Sequence, residues 1–322
     1  MSSQKDYITL NRTGQKMPIV GFGTARIDAK DTEEVIYNAI KTGYRLVDAA
    51  LLYGNEAEVG KGIKRALSDG IVKREELFVI SKLWNSHHNK DSVRKAIKVT
   101  LEDLGLDYID LYLIHWPIPT EFVEPKNPKE ISMTKEVVIE RSPLHECWRA
   151  MEDLVDEGLV RNIGVSNFNV QLLLDLLTYC KYKPATLEIE HHPYLQQKRL
   201  VKWVTSQDIH IIAYASFGPS VYNGAVPRPT AHLKSFFEHP VIQKIAKKHN
   251  HGEGEILLKW AVQRGIVVIP KTVNVSRMKT NLNLFSFDLD QDDMNEIAAL
   301  DCNARFNDLV EETFGYELPI FD

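Results

Sequence analysis

Leu77-Phe-Val-Ile-Ser-Lys82, Ser92-Val-Arg-Lys-Ala-Ile-Lys-Val-Thr-Leu-Glu-Asp-Leu104 and Ile109-Asp-Leu-Tyr-Leu-Ile-His115 follow one another within residues 77–115. The outer two are short apolar runs of strand-forming residues, and the middle one carries Val93, Ile97, Leu101 and Leu104 at helical spacing. A strand, a helix and a second strand in this order make one crossover of a parallel sheet. Each strand of the pair also runs out into a polar residue, Lys82 and His115.

Working outward, the same alternation holds along the chain. Further candidate strands are Ile19–Gly23, Arg45–Asp48, Val160–Val165, Thr186–Glu190, Ile211–Tyr214 and Ile266–Pro270. Helical patterns cover Glu33–Thr42, Glu56–Asp69, Pro143–Asp156, Val170–Tyr179 and a long region Val241–Arg264. Eight strands, each followed by a helix or a long loop, predict an α/β protein, a closed (β/α)8 TIM barrel. An open doubly wound sheet would announce itself by GxGxxG at a strand-to-helix turn, but Gly21-Phe-Gly23-Thr-Ala-Arg26 has arginine at the third glycine position. Residues 7–18 predict an N-terminal β-hairpin, Pro117–Ser142 a long loop after strand four, and the stretch from Asp301 a tail carrying Arg305-Phe-Asn-Asp308. Neither an internal repeat nor a linker divides residues 1–322, so a single domain is expected.

Composition narrows the function. The 322 residues hold 39 Lys and Arg against 44 Asp and Glu, a net charge of −5, with the acidic residues scattered. Such a chain lacks the basic patch expected of a nucleic-acid or membrane-surface binder. Cys147, Cys180 and Cys302 are far apart, which writes neither a disulfide framework nor a metal pair, and Cys147 and Cys180 are expected buried and inert. Met1–Leu10 holds no signal-peptide core. A reduced cytoplasmic protein acting on a small molecule, as monomer or homodimer, is the expectation.

At the mouth of a barrel, strand ends carry the chemistry. Strand two ends in Asp48 with Tyr53 five residues on, strand three in Ser81-Lys82, and strand four in His115. This set suits proton donation to an oxygen gaining negative charge. A phenol is a weak acid near neutrality; an adjacent ammonium lowers its pKa, a carboxylate holds the ammonium, and an imidazole N–H polarises the oxygen. Tyr53, Lys82, Asp48 and His115 fit those roles in that order, and none of them supplies an electron pair for reduction, so a cofactor must. His87-His88 and His191-His192 are adjacent pairs without a completing ligand, and no metal is expected.

Asp48-Ala-Ala-Leu-Leu-Tyr53-Gly-Asn-Glu56, Ser81-Lys82-Leu-Trp84, Leu113-Ile-His115-Trp-Pro117, Gly164-Val-Ser-Asn-Phe168 and Ile269-Pro-Lys271 together resemble the aldo-keto reductases over effectively the whole chain. Glu190-His-His-Pro-Tyr194, Ser216-Phe-Gly-Pro219 and Arg305-Phe-Asn-Asp308 resemble the fungal aldose (xylose) reductase branch. The resemblance implies NAD(P)H-dependent reduction of an aldehyde or ketone, with Tyr53 as the acid. It implies cofactor contacts at Thr24, Ser166, Asn167, Glu188, Phe217 and Asn281, with Tyr214 stacked on the nicotinamide. After strand eight, Lys271, Thr272 and Arg277 are placed to converge on a 2′-phosphate, giving NADPH preference, while Asn274 offers a bond to the free ribose hydroxyl of NADH. The family places Trp84 and Trp116 on the substrate wall.

Four positions depart from the branch. Glu188 stands where the family usually has Gln, and a carboxylate accepts from the nicotinamide amide but cannot donate to it. Ala215 replaces the usual Ser, Ala25 the pocket Trp, and Leu52 the Asp that faces sugar hydroxyls, while Asn307 keeps a polar contact for substrate. A substrate bulkier or less polar than a pentose is expected. The alternatives are a sugar reductase despite Ala25 and Leu52, and a non-catalytic NADPH-binding regulatory or structural subunit.

Overall fold

The computed structural model describes residues 6–125, 138–222, 230–309 and 317–321. Much of the predicted loop Pro117–Ser142, and part of the tail after Asp301, therefore lies outside the described residues.

The predicted hairpin is present: β1 (Tyr7–Thr9) pairs antiparallel with β2 (Lys16–Pro18). The remaining strands are β3 (Phe22–Gly23), β4 (Leu46–Asp48), β5 (Phe78–Leu83), β6 (Ile109–Ile114), β7 (Val160–Ser166), β8 (Thr186–Glu190), β9 (His210–Tyr214) and β10 (Val267–Val268). They pair in parallel and in chain order from β3 to β10. Every residue of β4, β5, β6 and β8 is buried, as expected when helices cover one face of a parallel sheet and the other faces inward.

The two ends of the sheet meet. Val20 bridges Val268 in parallel, the Gly21 N–H donates to Val268 O at 2.8 Å, and the Val268 N–H donates to Ile19 O at 3.0 Å. At Gly23 a Cβ would lie 2.6 Å from the Ile269 carbonyl oxygen, so only glycine lets the chains approach this closely. The glycines of the partial nucleotide fingerprint thus close a barrel. Its outer helices form for ordinary reasons. In Lys90–Leu104, Asn89 caps the first turn by accepting from the Asp91 N–H, Val93, Ala96, Ile97 and Leu104 are buried, and Gly105 ends the helix at φ +63°.

The helical region expected over Val241–Arg264 is two helices, Pro240–His249 and Glu253–Val262. Asn250 stops the first in the left-handed region at φ +56°, and Gly252 starts the second. Apolar spacing hid the break because both helices bury aliphatics in the same core, Ile242 and Ile245 from one, Ile256 and Leu257 from the other. Helix Lys198–Ser206 was missed because it buries only Val204 among its residues. Cys147 is buried, but Cys180 follows helix Val170–Tyr179 half-buried, not enclosed as expected.

The hairpin seals the N-terminal end of the barrel with polar groups. Buried Asp110 accepts from Gln15 Nε2 at 2.7 Å, Arg74 Nη2 at 2.8 Å and the Val79 N–H at 2.9 Å. Asn162 Nδ2 donates to Gln15 Oε1 at 2.8 Å, and the Tyr108 ring has Arg74 and Arg161 guanidiniums 4.1 and 3.9 Å from its centre. With that end sealed, the C-terminal mouth is left for chemistry. Among the described residues no helix is long and apolar enough to cross a membrane.

Candidate active site

The mouth gathers the strand-end residues. Asp48 closes β4, Lys82 lies in β5, His115 follows β6 and Glu188 lies in β8, while a 3-10 turn, Leu51–Tyr53, lifts Tyr53 over the rim. Thr24 holds Asp48 in place: its N–H and hydroxyl both donate to the Asp48 carbonyl, at 3.0 and 2.9 Å. Thr24, expected at the cofactor, is fully buried with its hydroxyl donating to the framework.

Lys82 has no exposed surface. Its ammonium donates to Asp48 Oδ1 at 2.6 Å and to the Ala49 carbonyl at 3.1 Å, and Glu188 Oε1 lies 3.4 Å away. An ammonium has three N–H donors, and these acceptors match them. Burial works against its charge, but the Asp48 carboxylate, with the Glu188 carboxyl beside it, outweighs burial and holds Lys82 protonated. Burial raises the Asp48 carboxyl, with the ammonium opposing.

Tyr53 lies against this pair, with Lys82 Nζ 5.3 Å from its ring centre. The expectation of a lowered phenol pKa is overturned in this state of the site. Burial pushes it up by more than Lys82 pulls it down, with Asp48 adding to burial. Sequence spacing revealed the ammonium but not how dry the site is. His115 is held well below its usual range by burial and by Lys82, so its imidazole is neutral near pH 7. Its ring packs edge-on against Tyr53 and Trp84, at 5.8 and 5.3 Å between centres.

A second set is strung together beside these. Asn167, left-handed at φ +60°, donates from Nδ2 to the His115 carbonyl at 2.9 Å and to Ser166 Oγ at 3.1 Å. Ser166 donates in turn to the Glu188 carbonyl at 3.0 Å. The Tyr214 hydroxyl donates to Asn167 Oδ1 at 2.7 Å and accepts from Asn307 Nδ2 at 3.0 Å. Asn307, expected to face substrate, spends one side-chain N–H on Tyr214, and the tail carrying it is clamped. Buried Glu190 accepts from the Phe306 and Asn307 N–H groups, each at 2.8 Å, and pairs with His192 at 2.8 Å. Burial resists that carboxylate, yet His192, Arg305 and the amides hold it below its usual pKa.

The remaining positions divide between wall and rim. Trp84 and Trp116 are each 2% exposed, and Ala25 and Leu52 are half-buried. Phe217 is half-buried against Phe237. After β10, Lys271 and Arg277 are exposed, and no carboxylate partner is recorded for either among the described residues; Thr272 and Asn281 are buried. The Asn274 side-chain oxygen accepts from the Arg277 N–H and caps helix Val275–Leu282, at the position expected to meet a ribose.

These features fit a nicotinamide dinucleotide. Two exposed cations beside a helix start suit a phosphate, and Glu188 Oε2 and His115 Nδ1 are buried atoms without a hydrogen-bond partner. Among the described residues there is no group of three or more His, Cys, Asp or Glu that would hold a metal. Sequence reasoning missed the Lys82–Glu188 pair and the Glu190 clamp. Their signal was present: glutamates at i and i+2 of one strand share a face.

The Aldo/keto reductase family profile matches residues 19–301. A 4-dihydromethyl-trisporate dehydrogenase from Mucor mucedo is 52% identical over 321 residues, 98% of this chain and 99% of that protein. An NADPH-dependent D-xylose reductase from Candida boidinii is 48% identical over 98% of both chains. An NAD(P)H-dependent D-xylose reductase from Aspergillus niger is 45% identical over 96% of this chain and 97% of its own.

Glu190→Ala leaves two amides and His192 without their acceptor. A hydrogen bond to a charged group contributes about 1.5–3 kcal/mol, so hydrogen exchange at the Phe306 and Asn307 amides is expected to quicken by roughly ten- to a hundredfold. Unchanged protection by mass spectrometry would remove the clamp from the account.

Proposed function

The chain belongs to the aldo/keto reductase family, and from that premise we propose that it reduces an aldehyde or ketone to the alcohol with NADPH. The observation that carries this reading is the meeting of Asp48, Lys82, Tyr53 and His115 at one barrel mouth. The cofactor, when bound, supplies the hydride equivalent that the carbonyl carbon takes up.

The chain's own residues do the rest. Neutral His115 orients the carbonyl oxygen through a ring N–H. Tyr53 delivers its phenolic proton to that oxygen as negative charge develops there. A phenol raised by burial keeps its proton until then, and the Lys82 ammonium stabilises the phenolate left behind. Asp48 keeps Lys82 charged and in place. Ser166 and Asn167 bind the nicotinamide amide, Tyr214 supports the ring, and Lys271, Thr272 and Arg277 hold the 2′-phosphate, with Phe217 and Asn281 along the adenosine half.

On substrate we favour a carbonyl compound bulkier or less polar than a pentose. Ala25 and Leu52 leave the wall short of an indole and a carboxylate, and Asn307 is engaged with Tyr214. The sugar-reductase alternative draws its support from relatives named D-xylose reductases, against which stands one named for 4-dihydromethyl-trisporate.

Three outcomes are expected. Tyr53→Phe should lower kcat/KM by at least about a hundredfold, the usual contribution of a positioned acid, while NADPH binding by fluorescence titration changes little. A fully active variant would end the acid role. Arg277→Leu should weaken NADPH relative to NADH by about tenfold, corresponding to about 1.4 kcal/mol for one exposed charge-assisted contact; equal losses would mean that Arg277 does not read the phosphate. In an NADPH-oxidation screen, aromatic aldehydes or bulky ketones should exceed xylose in kcat/KM, and Ala25→Trp with Leu52→Asp should move the ratio towards xylose. If wild-type xylose efficiency equals the best aromatic aldehyde, the sugar alternative takes over.

A further inference from the structure

The ammonium of Lys82 faces two carboxylates, and they are not equivalent. Asp48 Oδ1 lies 2.6 Å away and Glu188 Oε1 lies 3.4 Å away. Both carboxyls are buried, and the second oxygen of Glu188, Oε2, has no hydrogen-bond partner. Two negative charges around one positive charge would leave the dry site with a net charge, and the weaker partner is the group that relieves it by taking a proton. The groups facing Glu188 agree. Among the described residues, Lys82 from β5 is the cation that acts on it, Asp48 from β4 opposes its ionisation, Tyr53 after β4 and Tyr214 on the adjacent β9 are un-ionised phenols that its charge would disfavour, and His115 after β6, packed on Tyr53, is neutral.

We propose that Glu188 is a proton-linked positioning residue: with a proton on Oε2 it leaves Asp48 as the counter-charge of Lys82, and without that proton it draws the ammonium away from Tyr53. The protonated carboxyl also carries one donor and one acceptor, the same pair of functions as an amide. It therefore meets both ends of a carboxamide, which a carboxylate cannot do; this last part rests on the NADPH reading above. Burial and the Asp48 charge raise the Glu188 carboxyl well above the ordinary range, in line with the geometry.

The test separates the proton from the cofactor. In the cofactor-free protein, a native carboxyl that holds its proton to higher pH than the unfolded chain stabilises the fold at low pH and loses that advantage as pH rises through the interval between the two values. Urea unfolding of the wild type, compared with Glu188→Gln, should therefore show an excess unfolding constant that grows by about tenfold per pH unit above the unfolded glutamate range and then levels off. Glu188→Met, polar at neither end, should remove the same slope and guards against a folding defect in the first variant. A wild-type to variant difference independent of pH overturns the proposal. In the second arm, the NADPH Kd and kcat/KM of the wild type should worsen on the alkaline side, by about tenfold per pH unit in kcat/KM, with that limb displaced upward in Glu188→Gln. An identical alkaline limb in both proteins also overturns the proposal. Failure of the wild type to bind NADPH at any pH, with the unfolding slope intact, supports the proton on Glu188 and overturns only the cofactor reading.

Discussion

An ammonium sealed from water has to be neutralised and hydrogen-bonded by the protein, and the mouth of this barrel is organised around that demand at Lys82. The cost of stripping water from a charge is several kcal/mol after relaxation, of order what a whole domain has to spare. Asp48 and the Ala49 carbonyl at the end of β4, and Glu188 from β8 across the barrel, answer it. Their positions are fixed by closure of the sheet, which depends on Gly23 passing close to Ile269. Fold and chemistry thus meet at one cation: if the strand ends shifted, the charge would be left uncompensated.

The same dryness sets the character of each titrating group. Burial keeps His115 neutral and Tyr53 protonated, while Lys82 stays charged because its partners are near enough to outweigh burial. A group that must hold a proton, one that must lack it and one that must be charged are produced by a single environment. What differs among them is the distance to the nearest opposite charge.

The sequence disclosed those features that repeat along the chain or end a strand. Asp48, Lys82 and His115 were legible because each terminates a buried apolar run, and Tyr53 because it follows one. Glu188 could be seen to differ from its relatives, but not to reach Lys82, since nothing local brings β8 across the barrel to β5. The bond from Asn307 to Tyr214 was not legible because the two lie far apart in sequence, and the clamp that fixes it involves backbone amides, which any residue could provide. The break at Asn250 was masked by two helices sharing one core, and Lys198–Ser206 by its polar surface. Long-range pairing of polar groups is the common element in what was missed at the site.

The Glu190 clamp has a consequence for the order in which the molecule can assemble. The carboxylate lies in β8, and the amides it binds come 116 and 117 residues later, after the last barrel strand. Joining ends across so long a loop is only slightly more costly than across a short one, but it has to wait until both ends exist. The barrel can therefore close first, with Glu190 paired to His192 alone, and the tail adds afterwards as a separate layer that holds Tyr214 through Asn307. A species with a complete ring but an undocked tail would keep the barrel's secondary structure while lacking the burial of Phe306 and the hold on Tyr214, so maturation of the mouth can lag behind folding of the barrel.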